Sequence, residues 1–514
     1  MGAKKFDQNR SQLLRIPVFY GILIMEYFLH LHKGAHMVFS SLFFIFAFLV
    51  ISYALYAACK GIRARNTVLL VSSLIFYAWG GPAFVLLLCL EVFVCYVSAL
   101  VIQGLGAKSR RALVATWTCV GFCLALLVLF KYTGFFLGNV QALIGIPEII
   151  PSITLPIGIS FYTFQLISYV IDVYRGEVDA QKKYGNLLLY ASLFHQCIAG
   201  PIVRYADVAR EIEQRTVSLT EASRGVSRFA VGLAKKALLA NGCALIADAL
   251  LPSTATTDLS ALSATSLLLG GLCYMLQIYL DFSAYSDMAI GMGLMVGFHY
   301  KENFNYPYAA SSVTDFWRRW HISLSTFFRD YVYIPLGGNR VAVPRHILNM
   351  LIVWGLTGFW HGASWNFVLW GLYYFLLLIF EKYVLHVGKD TPLASKIAAR
   401  IYVLPAVYIG WMLFRFDKLS LLWDTVKGIV CANGNAFFDL SAQTTLGANC
   451  FFLAISILAC FPILPALAKL RDSKILPVYY VANTVAAIAP AILVVLSALA
   501  LIGDSYNPFL YFRF

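Results

Sequence analysis

Charge is scarce in this chain. Asp, Glu, Lys and Arg together make up 12% of its 514 residues while 60% are hydrophobic, a balance too apolar for a soluble globular protein. No hydrophilic stretch is long enough to fold as a separate soluble domain, so one integral-membrane domain is expected. Acidic residues are scarcer than basic ones, 25 against 39. The net charge of +14 could suggest nucleic acid, but the cations are scattered through short loops between apolar segments, where membrane topology puts them, and nucleic-acid binding is set aside. Paired CxxC spacing is missing too. Eleven cysteines, an odd number, lie mostly inside apolar runs (Cys89, Cys95, Cys119, Cys123, Cys273, Cys460) and indicate neither a disulfide framework nor a zinc site; they read as small core residues.

What the chain does have is a series of apolar runs long enough to cross a bilayer. A first span is expected over 38–59, followed by the basic loop Lys60 to Arg65. A hairpin over 67–80 and 83–103, turned at Gly80-Gly81-Pro82, returns to a second basic loop, Lys108 to Arg111, and the positive-inside rule puts both loops in the cytoplasm. Runs over 113–132 and 153–173 follow, then a short one over 186–198. The charged, amphipathic stretch 204–224 is expected on the cytoplasmic surface. Segment 226–251 carries Lys235-Lys236, and segment 262–298 carries Asp281 and Asp287, read as carboxylates at a helix break or in a loop rather than in chemistry. Further spans over 400–416, 449–470 and 481–502 bring the expected total to roughly eleven membrane helices plus surface and re-entrant ones. Residues 1–36 fit neither a spanning helix nor a signal peptide; they are expected to be an interfacial, dispensable extension to a membrane domain over 37–514.

Two histidines stand out, because imidazole titrates nearest neutrality and is a functional candidate when embedded in a membrane. His321 lies in Asp315-Phe-Trp-Arg-Arg-Trp-His-Ile-Ser-Leu-Ser325, where helical spacing puts Trp317, His321, Ser325 and Phe328 on one face. His361 lies in Trp354-Gly-Leu-Thr-Gly-Phe-Trp360-His361-Gly-Ala-Ser-Trp365. The run 347–380 is apolar for 34 residues, roughly 51 Å as a straight helix against about 30 Å of hydrocarbon, so a break is required, and Gly362-Ala363-Ser364 is where it is expected. Gly358 and Gly362 form a small-xxx-small pair for close helix approach. A neutral imidazole can take the proton of an attacking hydroxyl and a second can donate to a developing oxyanion, which together serve acyl transfer. The same residues fit a pair of structural histidines satisfied by backbone carbonyls, and spacing alone does not choose. A His-only metal site is weaker, since no third ligand stands out, and no bound metal or cofactor is expected. His195 is read as a packing histidine, and His299, His346 and His386 as interfacial.

The order Leu155-Pro-Ile-Gly-Ile-Ser-Phe-Tyr, Tyr169-Val-Ile-Asp-Val-Tyr-Arg-Gly, Ala199-Gly-Pro-Ile-Val-Arg, Asp281-Phe-Ser-Ala-Tyr-Ser-Asp, Asn303-Phe, Phe316-Trp-Arg-Arg-Trp-His-Ile-Ser-Leu-Ser, Leu336-Gly-Gly-Asn-Arg340 and Trp360-His-Gly resembles the membrane-bound O-acyltransferase family. The resemblance is to its bacterial branch, which includes the alginate O-acetyltransferase membrane subunit, the peptidoglycan O-acetyltransferase and the D-alanyl transfer protein of teichoic acids. It implies an all-α polytopic membrane protein, a ring of tilted helices around a thin central region, in the bacterial inner membrane. It places the family's essential histidine on His361, the second motif histidine on His321 and a motif arginine on Arg340, with Trp317, Ser325 and Trp360 as supporting or substrate-path residues. It further implies acetyl-CoA as acyl donor, a cell-surface polysaccharide as final acceptor and an extracytoplasmic partner acyltransferase, with D-alanyl transfer as the alternative within the family. Asn241 stands where such proteins often carry Asp, which puts a role for that carboxylate in doubt. From a different class, a transporter or flippase could use the same histidines in a proton or substrate path, although no internal repeat of the kind common in transporters is visible.

Overall fold

The computed structural model describes residues 38–145, 153–198, 200–253, 258–386, 393–503 and 507–508. The extension over 1–36 lies outside the described residues. Every regular element among the described residues is helical. In chain order the longer ones are α1 (Phe44–Ala58), α2 (Ile62–Gly80), α3 (Pro82–Gly104), α4 (Arg110–Ile144), α5 (Ile159–Arg175), α6 (Tyr184–Ser192), α7 (Tyr205–Glu213), α8 (Leu219–Leu250) and α9 (Ala264–Met295). The second half adds α10 (Val313–Arg319), α11 (Ile322–Phe328), α12 (Val343–His361), α13 (Trp365–Tyr383), α14 (Leu393–Arg415), α15 (Leu419–Ile429), α16 (Leu440–Ala459) and α17 (Leu476–Gly503). Six of these, α3, α4, α8, α9, α16 and α17, are long and apolar enough to cross a membrane by length and composition. The chain is a multi-pass membrane protein.

Helices α8 and α9 form the centre, and small residues let their backbones touch. A Cβ at Gly225 would meet the Gly291 carbonyl at 2.6 Å, and one at Gly232 would meet the Ala284 carbonyl at 2.7 Å. Close approach also brings opposite charges together. Lys236 pairs with Asp281 at 2.8 Å with both side chains buried, Lys235 reaches Asp287 at 2.5 Å, and Arg228 bridges Asp287 and Glu302. The expectation that Asp281 and Asp287 mark a helix break is therefore corrected: α9 runs unbroken through both. Carboxylates survive inside an apolar helix when cations on the facing helix neutralise them. The two lysines sit in a π-helical segment, Lys235–Ala240, which lets consecutive residues both reach α9.

The stretch 204–224, expected on the surface, divides in two. Its amphipathic part is α7, which buries Tyr205, Val208 and Ile212. Residues from 219 onward instead open the long α8. Ser218 and Glu221 form a capping box, in which the Ser218 hydroxyl accepts from the Glu221 amide and the Glu221 carboxylate from the Ser218 amide, and that starts the helix five residues after α7 ends.

The break expected in 347–380 is present at residues 362–364, and α12 and α13 return as a hairpin. Gly358 faces the Phe367 carbonyl, and Gly371 the Trp354 carbonyl, with no room for a Cβ at either. Thus the close approach that Gly358 permits is to its own hairpin partner.

Candidate functional site

His361 is the last residue of α12, directly before the break, and His321 occupies the corner between α10 and α11. The expectation of one helical face running from Trp317 to Phe328 is corrected at this corner. Trp320 is extended and His321 takes a left-handed conformation (φ 45°), so the two short helices leave at different angles. A non-glycine residue at positive φ is uncommon and persists where surrounding contacts hold it. Here the contacts are visible. The Ile322 amide donates to the Asn303 carbonyl (2.9 Å), the Ser323 amide and hydroxyl donate to Asn303 Oδ1 (3.1 and 2.9 Å), and the Asn303 side-chain amide donates to the Gly200 carbonyl (3.4 Å) and Ser286 Oγ (3.2 Å).

This network also reaches the His321 ring, whose Nδ1 has Ser323 Oγ at 3.3 Å. Asn303 Oδ1 is fixed as the acceptor by the Ser323 backbone N–H, and it lies 3.3 Å from His321 Nδ1. A neutral imidazole facing an acceptor through Nδ1 carries its proton there, which leaves Nε2 with a lone pair. His321 Nε2 is buried and has no hydrogen-bond partner among the described residues. The same holds for His361 Nε2.

Both histidines contact the Trp360 ring. Its ring centroid lies 5.5 Å from that of His321 and 4.9 Å from that of His361, legs that sum to 10.4 Å and bound the separation of the imidazoles from above. That bound is about one helix diameter. Phe282 closes the far side of His321 at 4.7 Å. Trp370 and Phe414 enclose His361 at 4.9 and 5.2 Å, edge to face. Both imidazoles are almost fully buried, at 1% and 5% exposure, so a substrate reaching them does so inside the protein.

The other sequence candidates take different places. Trp317 packs against Trp354, Trp370 and Tyr374, one ring removed from His361. Ser325 donates to the Trp317 carbonyl (3.4 Å) and ties α11 to α10. Arg340 lies exposed in the turn after Gly337-Gly338, and its side chain is not brought to the histidines by any contact among the described residues.

Among the remaining histidines, His195 is fully buried and bonded at both nitrogens, to Tyr53 at 2.9 Å and Tyr300 at 3.2 Å, as a packing histidine should be. His299 is exposed and lies against Glu211 and Glu221. His346, expected to be interfacial, is buried by Tyr333, Lys382 and Tyr383, which converge on its two nitrogens, each at 2.9 Å.

Three residues that contact this site were not singled out for it by the sequence, where Asn303 stands only within the Asn303-Phe motif. Asn303 is remote from His321 in turn structure, and only the fold brings its amide under the ring. Lys131 and Tyr132 lie in a π-helical segment of α4. The Lys131 ammonium donates to the Trp360 carbonyl (2.5 Å) and to Ser160 Oγ (3.3 Å), and the Tyr132 hydroxyl donates to the Phe359 carbonyl (2.6 Å).

Metal-ligand spacing occurs once among the described residues, where Cys95 on α3 and Cys119 and Cys123 on α4 bring their sulfurs within 4.8 Å. Two helices supply them, so linear spacing hides the group. A divalent ion on three thiolates would leave net negative charge between apolar helices, and buried Glu91, one turn before Cys95, would add to it. Uncharged thiols pack there as small apolar groups.

Comparison with known proteins follows the same lines. Residues 182–420 match the family described as MBOAT, membrane-bound O-acyltransferase. The chain is 37% identical over 510 residues to the probable alginate O-acetylase AlgI of Azotobacter vinelandii, covering 93% of this chain and 100% of that protein. It is 32% identical to the peptidoglycan O-acetyltransferase of Helicobacter pylori, covering 80% of this chain and 82% of the relative. A more partial match, 29% identical over 44% of this chain and 60% of the relative, is to the teichoic acid D-alanyltransferase of Bacillus subtilis. The histidine pair, the tryptophan that touches both and the all-helical membrane body therefore sit in an O-acyltransferase, and the chain belongs to the membrane-bound O-acyltransferase family.

Proposed function

We propose that this enzyme takes an acetyl group from acetyl-CoA at the cytoplasmic side of the bacterial inner membrane and passes it across for O-acetylation of a cell-surface polysaccharide. A partner acyltransferase outside the membrane completes the transfer. The observation that carries this reading is the pair of buried imidazoles, each with an unpartnered Nε2, both in contact with the Trp360 ring. O-acetylation is favoured over D-alanyl transfer because the match to the alginate protein covers 93% of this chain and the match to the D-alanyltransferase 44%. The basic loops Lys60 to Arg65 and Lys108 to Arg111 suit an anionic CoA donor on their own side, although topology accounts for them equally well.

In the chemical step, an acceptor hydroxyl enters between the rings and His361 accepts its proton as the oxygen attacks the thioester carbonyl. The tetrahedral intermediate collapses with the C–S bond breaking, and the proton returns from His361 to the departing thiolate. The single proton of the attacking hydroxyl goes to His361, so His321, whose Nδ1 faces Asn303, offers Nε2 as an acceptor to a second hydroxyl of the acceptor and orients it in that way. Burial excludes water, which would otherwise compete as the nucleophile.

The test supplies carbon-14 acetyl-CoA to the cytoplasmic face of membrane vesicles that hold this chain, the partner acyltransferase and the acceptor polymer. Label on the polymer, lost in His361→Gln, is the expected result. Label that crosses without being transferred would favour the transporter reading, and transfer from a D-alanyl donor alone would favour the other branch.

A further inference from the structure

Helix α4 changes its winding at one place, and that place touches the site. Its buried stripe runs Thr116, Cys119, Val120, Cys123 and Leu127 at intervals of three and four. The next buried residue is Tyr132, five positions on, because Val128–Tyr132 is π-helical. π-segments cost hydrogen-bond geometry and recur at functional sites. Here the extra residue turns two consecutive polar side chains, Lys131 and Tyr132, toward the end of α12.

A helix leaves its last carbonyls without internal partners, and positive groups there are favoured by the helix dipole. Tyr132 takes the Phe359 carbonyl and Lys131 the Trp360 carbonyl, so the last two peptide oxygens before His361 are both held from outside the helix. Lys131 also reaches Ser160 Oγ in the first turn of α5 and lies 5.8 Å from the Trp360 ring. One side chain thus touches the backbone that carries His361, the ring that contacts both histidines, and the start of a neighbouring helix. Gly362, next in the chain, has extended backbone against the Phe367 ring and gives the helix end no continuation to lean on.

We propose that Lys131 and Tyr132 are positioning residues for His361, clamping the end of α12 so that the imidazole keeps its place beside Trp360. The proposal rests on His361 handling the acyl transfer, and its test includes a readout that does not. Lys131→Met keeps side-chain length and removes the donor, Lys131→Arg keeps a charged donor, and Tyr132→Phe deletes a single oxygen. The first readout is acetyl transfer from acetyl-CoA by the full chain in liposomes. Since a displacement of about 1 Å can cost roughly a hundredfold in rate, Lys131→Met is expected to lower turnover by about that factor with KM within about twofold, Tyr132→Phe by about a tenth as much, and Lys131→Arg to recover most of the loss. The second readout is the rate of carbethoxylation of His361 by diethyl pyrocarbonate, followed by mass spectrometry on the folded protein with His321 as internal reference. In Lys131→Met the His361 rate is expected to change severalfold while the His321 rate holds. Unchanged His361 labelling in both Lys131→Met and Tyr132→Phe would overturn the proposal whatever the activity. If Lys131→Met does not fold, Tyr132→Phe decides alone, and wild-type turnover and labelling there would overturn it. A His361→Ala protein that still transferred acetyl would remove the functional reading while leaving the labelling result to stand by itself.

Discussion

The two histidines are held in opposite ways. His321 is fixed by polar contacts, its Nδ1 against Asn303 Oδ1 and Ser323 Oγ, each at 3.3 Å, in a strained left-handed corner. His361 is enclosed by aromatic rings, Trp360, Trp370 and Phe414, at the free end of a helix whose last carbonyls are taken by another element. The first arrangement commits one nitrogen and so sets the tautomer. The second restricts position while leaving proton transfer at the ring unopposed by a fixed polar partner in the aromatic box. A group that must gain and lose a proton during turnover is better served by the second, and one that must present a constant lone pair by the first.

This contrast orders the expected losses. His361→Gln should be the most damaging single change, lowering acyl transfer by about a hundredfold to ten-thousandfold with membrane insertion intact, because it deletes the proton acceptor without opening a large void. Initial rates on equal amounts of inserted protein check this. His321→Ala should cost less, since the base remains, and its loss should be read mainly in kcat. If His321→Ala proved the more damaging, the roles assigned to the two rings would be exchanged.

Asn303→Leu should come next. It removes the acceptor that holds the Nδ1 proton, a contact of roughly 1 kcal/mol, and about a fivefold to tenfold loss of turnover is expected. Its signature is more telling than its size. In nitrogen-15 spectra of labelled histidine, the His321 ring should move from one tautomer toward a mixture, whereas His361 should not change. A wild-type His321 signal in that variant would show that the Asn303 contact does not set the tautomer.

Much of this site was legible in the sequence, and the reasons for the rest are physical. His361 at a helix end followed from length alone, because a 34-residue apolar run cannot cross as one straight helix and Gly362 offers the break. His321 was legible as a residue but not as a corner, since a helical wheel assumes the continuity that its positive φ interrupts. Lys131 and Tyr132 were hidden by the same assumption: a π-segment shifts the buried stripe by one position, and a 3.6-residue period cannot register it. Asp281 and Asp287 looked like breakers because their partners, Lys235 and Lys236, come from a different helix and only packing reveals the pairing.

The central claim is that the two histidines act in one chemical step, and the double variant His321→Ala/His361→Gln tests it most directly. Residues that serve one step do not contribute multiplicatively. The account predicts that the double variant transfers acetyl at about the rate of His361→Gln alone, within about threefold. A double variant slower than His361→Gln by the full factor that His321→Ala costs in the wild-type background would contradict it.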